Sequence, residues 1–225
     1  MNTVLHTQAI VLSSINYRDF DRIVTFLTED YGLLKVIVYG GNRIKMRHLC
    51  EPYTHMKLSY AHKRNDIHTF KEAKVLDAHL NLRNSFEAME SAMQLLTITS
   101  KSQFLDSPCP KVFLLLKTYL SKIPLFKNPS ILVSSYLIKT LLMSGHWTLQ
   151  TKCGNCNISL STFYYFNQDY FCNKCTPSKK LQFDIDEIKS LSELINERSF
   201  TALEKKPLSK NLSEKINEMW KLAHL

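Results

Sequence analysis

The amino-acid sequence predicts an α+β chain: a small five-stranded barrel, then a helical bundle carrying an inserted four-cysteine metal module. Three observations predict it. Five short β-type runs with turn signals between them fill the first eighty residues. Apolar residues fall at helical spacing from about Leu80 onward, and two C-x2-C pairs stand at Cys153, Cys156, Cys172 and Cys175. The corresponding domains are 1–80 for the barrel, 81–150 for the helical domain, 151–180 for the metal module and 181–225 for helices that return to the helical domain.

The strands come first. Residues 8–13 (QAIVLS) form a compact apolar run, and 21–28 (DRIVTFLT) are rich in β-branched and aromatic side chains. Tyr31-Gly32 turns the chain into 33–39 (LLKVIVY). Residues 54–60 alternate Met56, Leu58 and Tyr60 against Lys57 and Ser59, and 67–76 make a fifth run. Five strands in about seventy to eighty residues is the size of an oligonucleotide-binding barrel, the OB-fold.

Helices follow. Leu82, Phe86, Met89, Met93 and Leu96 mark one face of a helix within 81–102. The SPCP segment at 107–110 ends it and starts another over 111–120. Asn128 as cap with Pro129 in the first turn opens a helix over 130–144, with Gly145 as its stop. That helix is apolar on most faces, which predicts a place in the middle of a bundle. Between the cysteine pairs, STFYYFNQDYF reads as a hairpin turning at 167–169. Asp184 with Glu187 predicts a capped helix over 185–197, and Asn211 with Glu214 predicts a last helix ending near Leu222.

Each C-x2-C pair forms a knuckle that aims two thiolates at one ion. The fifteen residues between the inner cysteines let the pairs meet at the corners of a tetrahedron. The donor set favours Zn²⁺. Four sulfurs fill the shell and leave no position for water or substrate, so the predicted role is structural. The alternatives are four unrelated buried thiols or two disulfides. The first residues lack an export signal, which points to reduced thiols and so to metal. Cys50 and Cys109 read as ordinary small apolar residues.

The chain carries a net charge of +9, distributed as +10 over residues 1–180 and −1 over 181–225. A basic body suits a polyanion such as nucleic acid. The most apolar stretch, 112–126, is broken by Lys117, Lys122 and Pro124 and does not span a bilayer. The five glycines form neither G-x-x-x-x-G-K nor G-x-G-x-x-G, which leaves P-loop and dinucleotide chemistry unsupported. H-E-x-x-H and G-x-S-x-G are missing too. Five of the eight histidines lie between His48 and His79, but no register brings them to a nucleophile. The chain is therefore read as a binding protein and not an enzyme.

The order of modules, together with AIVLSSINYRDFDRIVTFLTEDYGLLKVIVYGGNRIK, EPYTHMKLSY and YLIKTLLMSGHWTLQTKCGNC, resembles the bacterial RecO family of DNA-repair proteins. That resemblance covers nearly the whole chain. It implies a cytoplasmic, nucleoid-associated mediator of repair and recombination. Such a protein binds single- and double-stranded DNA and anneals complementary strands without ATP. With RecR, and in many bacteria RecF, it helps RecA replace single-strand-binding protein, which it also contacts. Two loops carry the clustered cations that fit a phosphate-binding rim: Arg43, Lys45 and Arg47 after the third strand, and Lys63 and Arg64 before the fifth. Tyr39 and Asn42 stand where the family commonly has Lys or Arg. Tyr39, Tyr53 and Tyr60 offer stacking faces, although Tyr53 and Tyr60 read better as barrel packing. Lys179-Lys180 could hold a second strand but reads better as a solvated linker. The competing reading is a scaffold of the repair machinery with little DNA binding of its own. A nuclease using the histidines and acids is a third.

Overall fold

The computed structural model describes residues 3–64, 67–145, 147–178 and 180–223. The chain divides into two compact units, Met1–Leu125 and Phe126–Leu225. Helices from the stretch 81–150 fall in both.

Alternation of apolar and polar side chains builds the first unit. Strands β1 (Val4–Tyr17), β2 (Asp21–Thr28) and β3 (Gly32–Val38) run as an antiparallel meander. After α1 (Ile44–Arg47) and a 3-10 turn at His48–Cys50 come β4 (His55–Ala61) and β5 (Ile67–Asp77). The strands close in the order β1-β2-β3-β5-β4, with β3 and β5 parallel and every other pair antiparallel. This five-stranded closed barrel is the fold the sequence predicts.

β1 is far longer than the run QAIVLS because its two halves pair with different strands. Val4–Ile10 face β4, while Ala9–Tyr17 face β2. A register shift between Val11 and Ser13 marks a bulge that bends the strand around the barrel. Inward positions such as Val11, Val24, Phe26, Val36, Leu58 and Tyr60 fill the barrel. Cys50 joins them from the 3-10 turn, and burial pushes its thiol up to about 11 against the opposing field of Arg22. It is a packing residue.

Two helices complete this unit. Ser85 caps α2 (Phe86–Ser102), its hydroxyl accepting from the Ala88 N–H. Pro110 opens α3 (Pro110–Lys122). α2 packs on β1 and α3 on β2. The link between them touches β3: the Leu33 N–H donates to the Phe104 carbonyl at 3.4 Å, and the Asp106 N–H to the Leu33 carbonyl at 3.1 Å. Gly32 makes this approach possible. Its φ is +72°, and a Cβ there would lie 1.9 Å from the Ser107 carbonyl oxygen.

The second unit is built around α4 (Ser130–Met143), which buries ten of its fourteen residues. That burial explains its nearly continuous apolar sequence. Pro129, not Asn128, is the N-cap residue of α4, with Asn128 Oδ1 accepting from the Ser130 N–H at 3.3 Å just before it, and Gly145 at φ +71° ends the helix with its N–H on the Leu142 carbonyl. The metal module follows, with β6 (Phe163–Phe166), β7 (Asp169–Phe171) and β8 (Gln182–Phe183) in the order β7-β6-β8. Then α5 (Ile185–Asn196), α6 (Phe200–Glu204) and α7 (Lys210–Ala223) all pack on α4, so the module is an insertion in the bundle. The Asp184–Glu187 capping box forms. The predicted Asn211 start does not: Ser209 caps α7, accepting from the Leu212 N–H at 3.1 Å.

Candidate metal centre and nucleic-acid interface

The four cysteines converge. The sulfurs of Cys153, Cys156, Cys172 and Cys175 all lie within 4.8 Å of one another, and Cys156 and Cys172 are 3.8 Å apart. Metal–sulfur bonds of about 2.3 Å at tetrahedral angles give an edge of roughly 3.8 Å. All six cysteines are free thiols, so the disulfide alternative has no counterpart in the structure. The knuckles hold themselves: the Asn157 N–H donates to the Cys153 carbonyl at 2.9 Å and the Thr176 N–H to the Cys172 carbonyl at 3.0 Å. Burial opposes ionisation of Cys153, but N–H groups of Cys156, Cys172 and Asn155 donate to its sulfur and bring the thiol down to about 6. N–H groups aimed at this sulfur favour its ionised, metal-binding form. The site can hold one metal ion.

A small aromatic core supports the knuckles. Asn167 and Gln168, both at positive φ, turn the β6–β7 hairpin. Tyr170 on β7 is fully buried among Phe163, Tyr165, Phe183 and Trp147, and its hydroxyl accepts from the Trp147 indole N–H at 2.9 Å. Burial raises the Tyr170 hydroxyl pKa.

The cationic residues divide by topology. β1, β3 and β5 run one way and β2 and β4 the other. The β1–β2 and β3–β4 connections therefore share one end of the barrel, and the β4–β5 connection lies at the opposite end. Arg43, Lys45 and Arg47 stand on α1 and its cap in the β3–β4 connection, whereas Lys63 and Arg64 stand in the β4–β5 connection. The single rim suggested by the sequence is thus two separate patches. All five side chains are exposed, and among the described residues no carboxylate pairs with any of them. Arg43 lies over Phe20, its guanidinium carbon 5.4 Å from the ring centroid.

Of the three tyrosines, Tyr39 is exposed, Tyr53 is half-buried and Tyr60 fills the barrel edge-on to Tyr31 at 6.1 Å. The histidines between 48 and 79 scatter. His55 is buried, with Nε2 3.0 Å from Gln8 Oε1, and burial, reinforced by Lys117 and His79, pushes it down to about 4. His68 stacks on Tyr60 and His62, and His79 sits by Asp77. Lys179 lies outside the described residues, and Lys180 is exposed. No helix among the described residues is long and apolar enough to cross a membrane.

Residues 1–79, the barrel, match the family model described as recombination protein O, N terminal. Similar proteins named DNA repair protein RecO extend the likeness past the barrel. The one from Thermodesulfovibrio yellowstonii is 26% identical over 175 residues, 76% of this chain and 70% of the relative. The one from Caldicellulosiruptor bescii is 22% identical over 217 residues, 95% and 88% of the two chains. A third, from Chlamydia muridarum, is 29% identical over 140 residues, 59% and 60%. The barrel is thus similar to the N-terminal part of RecO proteins, and the likeness to proteins of that name continues beyond it.

Arg18 and Phe20, in the β1–β2 connection, carry no motif that singles them out in the sequence, yet Phe20 lies beneath Arg43 and Arg18 over Tyr17. The Asn42 N–H donates to the Phe20 carbonyl at 2.9 Å and the Gly40 N–H to Asp21 Oδ1 at 2.8 Å, so the two connections are tied together. The signal was present as an exposed-type aromatic inside the polar turn YRDFD, but only strand register shows what it faces.

Proposed function

We propose that this chain is a DNA repair and recombination mediator of the bacterial cytoplasm, acting at the nucleoid. It binds single- and double-stranded DNA, brings complementary strands together without ATP and is not an enzyme. With RecR, and with RecF where that protein takes part, it helps load RecA on DNA coated by single-strand-binding protein. The observation that carries the reading is the patch Arg43, Lys45 and Arg47. Three exposed cations, none paired with a carboxylate among the described residues, sit on one short segment of a barrel similar to that of RecO proteins. Phosphate contacts of this kind give affinity without sequence preference, as annealing requires. Lys63 and Arg64, at the other end, form a second phosphate contact. Zn²⁺ bound by Cys153, Cys156, Cys172 and Cys175 is structural and holds the inserted module folded.

The experiment is annealing of complementary oligonucleotides coated with single-strand-binding protein, without nucleotide. The full chain is expected to accelerate it, and the Arg43→Ala, Lys45→Ala, Arg47→Ala variant to slow it by roughly tenfold. A chain that binds RecR but leaves annealing at the uncatalysed rate is a scaffold, and the proposal fails.

A further inference from the structure

Register places an aromatic row on the outside of the barrel at the end that carries the Arg43 patch. Tyr17 opposes Asp21 across β1 and β2, and the pairing of Arg22 with Val38 sets Tyr39 beside Asp21 on the other side. Directly opposed residues share a face. Val24 and Val36 point inward, so Tyr17 and Asp21 point outward, and Tyr39 is exposed as the first central residue of the Val38–Gly41 turn that follows β3. Behind this row stands Ile15 opposite Ile23, and above it Phe20 in the adjoining connection. Lower on the same outer face, Leu27 and Leu33 are buried where α3 and the segment 104–106 pack. The row is left open: Tyr17 is 37% exposed, Tyr39 55%, Phe20 57% and Ile15 61%.

Cations frame these rings. The Arg18 guanidinium carbon lies 5.1 Å from the Tyr17 centroid and that of Arg43 5.4 Å from the Phe20 centroid, and Lys35 is exposed on β3. The acidic member of the row is engaged, since Asp21 Oδ1 accepts from the Gly40 N–H. Tyr17 lies in a strand and Tyr39 directly follows one, and the Asn42 N–H holds the Phe20 backbone through its carbonyl, so little backbone ordering is needed to present the rings. Two strand spacings separate Tyr17 from Tyr39, about 10 Å. A polyanion with exposed flat π-faces matches this surface: its phosphates meet the cations and its bases meet the rings.

We propose that Tyr17, Phe20 and Tyr39 form a stacking platform for unpaired nucleobases, giving the barrel a preference for single strands over duplex. This rests on the DNA-binding reading above. In a duplex the bases are already stacked on each other, and only the cations contribute.

The test compares binding of a thymidine oligonucleotide and of a duplex hairpin at matched ionic strength. The Tyr17→Leu, Phe20→Leu, Tyr39→Leu variant keeps apolar cover but loses the π-faces. It is expected to lose about tenfold in single-strand affinity for each ring engaged, with duplex affinity unchanged. A second variant, Phe20→Trp, reads the contact directly. Trp147 and Trp220 are buried in the other unit, so quenching of the new emission by the oligonucleotide and not by the hairpin reports stacking. If wild type binds both polymers but the leucine variant keeps its preference, or Phe20→Trp is not quenched, the platform is wrong while DNA binding stands. If wild type binds neither, the proposed function falls and the platform with it.

Discussion

Replacing Cys153 by Ser is expected to abolish metal binding and unfold residues 151–180. The module has little else to hold it: β6, β7 and β8 are four, three and two residues long. Such a sheet is not independently stable, and its aromatic core centres on Tyr170 alone. Structural zinc contributes apparent binding free energies of about 10–16 kcal/mol, far more than a short hairpin offers. Cys153 is also the buried corner of the set, and its sulfur accepts the Cys172 N–H at 3.4 Å, so its loss undoes both knuckles. Metal analysis should fall from about one ion per chain to none. Trp147 is 1% exposed, so its emission should shift to longer wavelength as the module opens. The same shift should follow removal of the ion from wild type by a strong chelator and reverse on adding Zn²⁺. An unchanged emission maximum in Cys153→Ser would mean that the cysteines do not hold the module.

Gly32→Ala is the second large effect. A left-handed φ of +72° disfavours any side chain by about 1–2 kcal/mol. The larger problem is contact: the new methyl would meet the Ser107 carbonyl at 1.9 Å, its carbon at 2.5 Å and its nitrogen at 2.8 Å. These are backbone atoms and cannot rotate aside. Relief requires lifting the segment 104–107 from β3, which breaks the hydrogen bonds between Leu33 and both Phe104 and Asp106. The expected cost is about 3–5 kcal/mol, a large part of the stability of a domain this size. Gly145→Ala isolates the strain component, since its φ is +71° but nothing among the described residues lies within 4 Å of the added carbon. It should cost only about 1 kcal/mol. Both tryptophans lie in the second unit, so far-UV circular dichroism in denaturant is the readout for Gly32→Ala. Equal midpoints for the two variants would contradict the steric account.

Much of the fold was legible because local chemistry and tertiary structure agree. The run DRIVTFLT is β2 residue for residue, and the Asp184–Glu187 box starts α5 as its spacing says. The two C-x2-C pairs bring four sulfurs together as their spacing requires. Local sequence carries no signal where long-range pairing decides. Nothing within VLHT announces a strand: residues 4–7 are extended because β4 lies beside them. α6 has only five residues and makes no periodic signal, and Ser209 caps α7 although Asn211 has the better capping spacing. In the candidate interface, Arg43 and Lys63 both read as loop cations, but strand direction sends them to opposite ends. The row of Tyr17, Asp21 and Tyr39 exists only once three strands are in register.

The cations of the β3–β4 connection are expected to neutralise DNA phosphates. The most direct measurement is the salt dependence of single-strand binding by the full chain and by the Arg43→Ala, Lys45→Ala, Arg47→Ala variant. Each phosphate contact contributes a slope of about 0.7 in log affinity against log salt for single strands. Loss of three contacts should therefore flatten the slope by about 2. An identical slope for the two proteins, or no affinity in wild type at low ionic strength, would contradict the account.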